Sequence, residues 1–329
     1  MSLLGNYYNY GWSGVQRNGD TAFSYYYEAS KGDDPVGDYM VGQWLYDQEN
    51  YAKALEFLAS AANHGNIDAH VTYAHALISG NGIEADPETA AKILHNVASV
   101  DASGRAYLIL ATMHFSGAGV SLDTAAAIRC IDTAVSFGNS LAMRYMGDAY
   151  ADGIGLPRDT VVAVEWYERS AAAGNIRSML KLASCYKKGE LAPKNLKRAA
   201  ELLQQATDRG NLEAQCRLGL CYEEGDGVVL NSRKAYNLYL DAAERGSAYG
   251  MYLTAMCYID GVYVQEDKAQ AAQWFLKGAE AGNLACCYFV GMMYADGDGL
   301  KKNKKEAKRW LTLAADNGVE AAAKKLSEL

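Results

Sequence analysis

The chain has 329 residues, half of them hydrophobic, and a formal net charge of −8. The acidic balance argues against a nucleic-acid binder, and no run approaches about 18 apolar residues, so no membrane insertion is expected. The N-terminus has neither the basic region nor the long apolar run of a secretory signal peptide, so the expected location is cytoplasmic; a precursor trimmed before Met1 would read the same way.

In chain order, residues 1–33 read as a degenerate opening unit. Leu4-Gly5, Tyr8, Gly11, Gly14-Val15, Ala22, Ala29 and Gly32 loosely follow Leu218-Gly219, Tyr222, Gly225, Gly227-Val228, Ala235, Ala242 and Gly246. The first helix of this unit lacks its opening turn. Its aromatic side chains, Tyr7, Tyr8, Tyr10, Trp12, Tyr25, Tyr26 and Tyr27, are expected to seal the end of a stack, with an interaction surface as the less favoured reading. A second unit runs from about Asp34 to Asn66 with a shortened loop, Asp47-Gln48-Glu49-Asn50. A third reaches Asp101, which stands where a closing glycine is expected, and a fourth closes at Gly138. Regular units then close at Gly174, Gly210, Gly246, Gly282 and Gly318, and 319–329 read as a C-terminal capping helix. With no linker or composition break, 1–329 is read as one all-α domain of nine helix pairs.

The period is 36 residues, and several columns share it. The closing glycines Gly138 to Gly318 are joined by alanines eleven residues earlier, Ala127, Ala163, Ala199, Ala235, Ala271 and Ala307. An Asp/Asn column runs Asp123, Asp159, Asn195, Asn231, Asp267 and Asn303, placed where a short polar side chain caps a helix. Glycine after each helix suits a positive φ, and the following Asn139, Asn175, Asn211 and Asn283 suit the next cap. Apolar residues three or four apart, such as Ala235, Leu238, Tyr239 and Ala242, mark helices too short to stand alone. Stacking such units buries a continuous core.

The pattern of a small residue, Leu-Gly, Tyr, Gly-x-Gly-Val, Asp/Asn, then Ala-x-x-Trp and Ala-Ala-x-x-Gly-Asn resembles the Sel-1-like repeat family, relatives of the tetratricopeptide repeats. The strongest matches are 142–175 and 214–247, and Trp166, Trp274 and Trp310 share the tryptophan column. The resemblance implies an α/α superhelical solenoid acting as a scaffold or adaptor for a protein or peptide partner. It also implies that the first helix of each pair lines a concave face. By register, residues three before, one after and four after the Leu-Gly glycine position point into it. These are Tyr39, Gln43, Tyr46, His75, Phe115, Arg144, Asp148, Lys187, Glu223, Tyr252, Met256, Tyr288 and Met292, with Val71, Ile78, Leu108, Thr112, Leu180, Ser184, Leu220 and Ile259 beside them. Trp166 is expected to be core. Departures from the family pattern are Asp101 for Gly, His114 for Tyr, and Glu190-Leu191 and Val262-Tyr263 in two loops.

Chemistry is sparse. Seven cysteines at irregular spacing read as reduced core residues, and neither they nor the five histidines form a zinc motif. The Gly-x-Gly loops lack the strand and Lys-Ser/Thr of a phosphate cradle. No catalytic set, cofactor or metal site is expected, and a hydrolase-type groove site is the weakest alternative. Lysines concentrated from Lys301 to Lys325 suit a solvated face, or an acidic partner. Weak end-to-end self-association is the remaining alternative.

Overall fold

The computed structural model describes all 329 residues, as 19 α-helices and one short 3-10 turn. Two compact units form, 1–174 and 175–329. The first holds α1 (Ser2–Tyr10), α2 (Gly19–Ser30), α3 (Pro35–Asp47), α4 (Tyr51–Asn63) and α5 (Ile67–Ser79). It continues with α6 (Pro87–Ala98), α7 (Arg105–Ser116), α8 (Thr124–Ser136), α9 (Ser140–Asp152) and α10 (Thr160–Ala172). The second holds α11 (Ile176–Lys188), α12 (Leu196–Asp208), α13 (Leu212–Glu224), α14 (Ser232–Glu244) and α15 (Ala248–Asp260). After these come α16 (Lys268–Glu280), α17 (Leu284–Asp296), α18 (Lys304–Asp316) and the closing α19 (Glu320–Ser327). Odd-numbered helices are the first of each pair. Most helices have 13 residues, whereas α1 has nine, shorter by the opening turn that its sequence lacks.

The capping columns explain where helices begin. Asp123 accepts from the Ala126 amide at 2.9 Å, and Asn231 accepts from that of Lys234 at 2.9 Å. The Asn after the closing glycine does two jobs. Asn139 Oδ1 accepts from the Leu141 and Ala142 amides, each at 3.0 Å, while its Nδ2 donates to the Ser103 carbonyl at 2.8 Å. Asn66 repeats the arrangement on the Pro35 carbonyl at 3.1 Å. An aspartate would cap as well but could not donate across the repeat.

Asp101 replaces glycine because it caps. Its carboxylate accepts from the Ser103 amide, the Ser103 hydroxyl and the Ala106 amide, the last at 2.7 Å, while Gly104 takes up the positive φ. The loops of the sixth and eighth pairs differ from their neighbours for a related reason. Leu191 and Tyr263 have φ of 59° and 67° at the position that Gly155, Gly227 and Gly299 occupy in other loops. The left-handed conformation is kept by non-glycine residues, at a cost of roughly 1–2 kcal/mol each.

The core is carried by second helices pressed onto the Leu-Gly column. Tyr167, Tyr239, Phe275 and Leu311 are all but fully buried. Where this residue is tyrosine, the facing first-helix residue is glycine, as in Gly5/Tyr26, Gly147/Tyr167 and Gly219/Tyr239. A Cβ on Gly147 would come within 2.6 Å of the Tyr167 ring. Where it is Ile, Leu or Phe, alanine occupies the column in Ala111/Ile131, Ala183/Leu203 and Ala255/Phe275, and Gly42/Leu58 and Gly291/Leu311 depart from this rule. The tryptophan column is not the core. Trp166 and Trp274 are half-buried, each with a cation over its ring, and the neighbouring Tyr167 and Phe275 fill the interior instead. Trp310 alone of the three is buried.

Two further expectations change. Of the aromatics expected to seal the N-terminal end, Tyr26 is buried and Tyr7, Tyr8 and Tyr25 are half-buried, but Tyr10, Trp12 and Tyr27 are exposed together with Leu3 and Leu4. Val71 and Leu108, expected on the first-helix face, are buried at 1% and 6% exposure and belong to the core.

Candidate functional site

The thirteen residues named for the first-helix face all keep solvent access. Of the three stripes, the one a single residue after the Leu-Gly position keeps solvent access throughout, whereas the stripe four after it is buried at Ala151 and Ala295. The third, three residues before it, turns inward at Val71, Leu108 and Cys216.

Charged members of the set are engaged by the scaffold. Asp148 accepts from the Tyr167 hydroxyl at 2.7 Å and pairs with Arg144 at 2.6 Å. Arg144 also stacks over Tyr145, and its Nε is buried without a partner. Glu223 accepts from the Tyr239 hydroxyl at 2.7 Å. Burial first, and then this bond to a carboxylate, push the Tyr239 phenol far above its ordinary range. Lys187 pairs with Glu224 at 2.8 Å and Asp226 at 3.1 Å in the next repeat. The hydrogen bond to Glu224 is the main cause of the raised Lys187 pKa, and that from Lys187 the main cause of the lowered Asp226 pKa. The tyrosines that thread past a column glycine thus end on first-helix acceptors: Asn6, Asp148 and Glu223.

Aromatic members pack against neighbouring rings or apolar clusters. Tyr39 and Tyr46 lean on the cluster around Leu55 and Leu58, and Tyr46 accepts from Asn81 Nδ2 at 2.9 Å. Tyr252 stacks parallel to Tyr249 at 6.2 Å and approaches Phe289 at 6.0 Å, which Tyr288 meets edge-on at 5.4 Å. Tyr252, Met256 and Tyr288 are half-buried against the C-terminal core. Gln43 bonds Asp47 at 2.9 Å, His75 is exposed, and Met292 is half-buried.

Each unit has a recess among its own first-helix residues. In the first, Thr112, Phe115, Tyr145, Asp148 and Ile154 surround about 190 Å³ whose walls are almost wholly apolar, with Ala111 and Ile131 at its floor. In the second, about 390 Å³ lies between α11, α13 and α15. Its apolar part is Leu203, Leu220, Cys221 and Tyr249, and its rim holds Lys187, Lys188, Arg217 and Glu213. Sequence register found Ser184, Lys187 and Leu220 here but not Tyr249 or Arg217. Tyr249 sits six residues before its column position, almost two turns earlier, yet it lines the recess from the next helix pair. The signal in the sequence was Tyr249 itself, an aromatic on the opening turn of a short helix.

No group of three histidine, cysteine, aspartate or glutamate side chains stands close enough to hold a metal ion. No helix is long and apolar enough to cross a membrane. The seven cysteines are free thiols, six of them buried, and burial pushes those of Cys257 and Cys286 up to about 12.

Repeated helix pairs with an accessible first-helix face define an α/α repeat scaffold. The Sel1 repeat profile matches residues 1–34, 36–66, 104–134, 140–175, 176–211, 212–247, 248–283 and 284–319, and the chain belongs to the Sel1 repeat family. The intervening 67–103 folds as a helix pair like its neighbours. A solved Sel1 repeat protein from Oxalobacter formigenes is 25% identical, with a TM-score of 0.67 over 93% of this chain and 90% of that one. Also 25% identical is c5321, a protective antigen present in uropathogenic Escherichia coli strains displaying an SLR fold. Its TM-score is 0.65, over 92% of this chain and 66% of that one. No curated protein sequence matches the chain. Sel1 repeat proteins are in general non-enzymatic scaffolds for protein–protein interaction.

Proposed function

We propose that this protein is an adaptor that grips a protein or peptide segment on first-helix residues, with a side chain of the partner seated in a recess. The observation that supports this best is the apolar recess around Phe115 and Ile154. Its volume of about 190 Å³ suits one leucine- or phenylalanine-sized side chain, and it lies open among exposed and half-buried helix positions. Apolar surface rimmed by polar groups is the usual mark of an interaction site. The second recess offers the same kind of anchor point within a charged rim, in the other unit.

Peptides selected by display on the intact protein supply the test. Phe115→Asp and Leu220→Asp place a carboxylate in each recess without touching the tyrosine-to-carboxylate bonds. Each is expected to weaken a selected peptide at least tenfold. Unchanged affinity in both variants would move the site off this face. Reversing Lys187 or Glu223 is a poorer test, because both are engaged within the scaffold.

A further inference from the structure

Five tryptophans occur in the chain. Three of them carry a cation from their own helix over the ring: Arg169, three residues on from Trp166, at 4.7 Å; Lys277, three residues on from Trp274, at 4.3 Å; and Arg309, immediately before Trp310, at 4.9 Å. At Trp44 the residue three on is Asp47. The Trp44 ring is 43% exposed and lies 4.3 Å from Phe23, which stacks in turn on exposed Tyr27 at 6.1 Å. A recess of about 250 Å³ beside it is lined in part by Met40, Gln43 and Asp47. An aromatic face with a carboxylate at its edge attracts a cation, and its own helix supplies none.

The surroundings reinforce this. Residues 1–51 hold seven carboxylates against two cations. Both cations are engaged: Arg17 Nε donates to the Asn9 carbonyl, and Lys31 pairs with Glu28 and lies over Tyr27. Asp20, Asp33, Asp47 and Glu49 are exposed and form no ion pair. The opposite composition sits at the other end of the chain. Lys301, Lys302, Lys304, Lys305 and Lys308 are exposed within one stretch and none has an ion-pair partner; only Arg309 pairs, with Glu306.

We propose that the aromatic, acidic end around Trp44 binds the lysine-rich segment 301–309 of a second copy of this chain. Like ends repel and unlike ends attract, so the contact is head-to-tail rather than two-fold symmetric. Such a heterologous contact leaves one free end of each kind on every assembly, and growth continues unless the arrangement closes on itself. The proposal is independent of the first-helix recesses.

Sedimentation velocity across a range of concentrations, at low and high salt, tests it. The mass is expected to rise above the 35.6 kDa of the single chain with concentration at low salt and to return to it at high salt. Asp47→Lys, and separately the triple variant Lys301→Glu, Lys304→Glu, Lys305→Glu, are each expected to stay monomeric. Both change only exposed side chains, and circular dichroism checks that the helices persist. Mixed in equal amounts, the two variants are expected to give a species of twice the single-chain mass and nothing larger. The first keeps its lysine end and the second keeps its Trp44 end. A wild-type chain that stays monomeric at every concentration in low salt overturns the proposal, as does association that neither variant affects. A monomer whose fluorescence responds to an oligolysine peptide, with the response lost in Trp44→Phe, also overturns it and assigns the end to a foreign basic segment.

Discussion

Gly147→Ala is the sharpest probe of how the repeats are held together. In isolation the change stabilises a helix by about 1 kcal/mol. Here the added Cβ would lie 2.6 Å from Cε1 and 2.7 Å from Cδ1 of Tyr167. That ring is fully buried, and its hydroxyl is tied to Asp148 at 2.7 Å, so it has nowhere to retreat. Overpacking of this kind costs about 1–3 kcal/mol, with more possible for a ring pinned at its far end. The net expectation is a loss of up to about 2 kcal/mol. Tyr167→Phe alone loses a hydrogen bond to a charged acceptor, worth about 1.5–3 kcal/mol. The double variant recreates the native Ala255/Phe275 pair, in which a ring without a hydroxyl sits against alanine. It is therefore expected to cost less than the sum of the singles by at least about 1 kcal/mol. Urea unfolding followed by circular dichroism measures the totals, and hydrogen exchange of α9 and α10 amides localises them. A Gly147→Ala variant that is more stable than wild type, or a coupling of zero, would refute the reasoning.

Three other outcomes follow from the same geometry. Tyr167→Ala is expected to cost about 3–5 kcal/mol, and Trp166→Ala distinctly less, since only the tyrosine is fully buried; equal losses on thermal melting would put the core on the tryptophan column after all. Burial alone would raise the Asp101 carboxyl, but the hydrogen bonds from the Ala106 amide and from Ser103 together outweigh it and hold it below its ordinary value. Its folded pKa lies below the unfolded one, so its contribution is complete above about pH 4 and fades as the pH falls through the folded value; Asp101→Asn is expected to flatten the acid limb of a stability-versus-pH curve, and an unchanged limb would exclude this group. Under native conditions a thiol reagent is expected to reach the half-buried Cys130 first and the six buried thiols only on unfolding; rapid native labelling of Cys257 or Cys286 would contradict their burial.

The sequence by itself determined the repeat. The 36-residue period, the Asp/Asn caps and the closing glycines are local requirements of backbone geometry, so each is written at a fixed distance from the next. They place α7 to α18 and give the count of nine pairs. Even Asp101 was visible as a departure, although its capping bonds were not. Tertiary structure decided which neighbours share the interior. Trp166 and Tyr167 are adjacent in sequence and equally plausible as core. Only the approach of α9, close enough to need Gly147, selects the tyrosine and leaves the tryptophan half in solvent under Arg169. The same holds for the candidate site. Register identified thirteen residues that keep solvent access, but each recess is walled by side chains from more than one helix pair, which no single helix encodes. Packing between pairs buries Val71 and Leu108 and brings Tyr249 and Arg217 to the second recess, and packing within a pair sets Asp148 and Glu223 to receive the tyrosine hydroxyls.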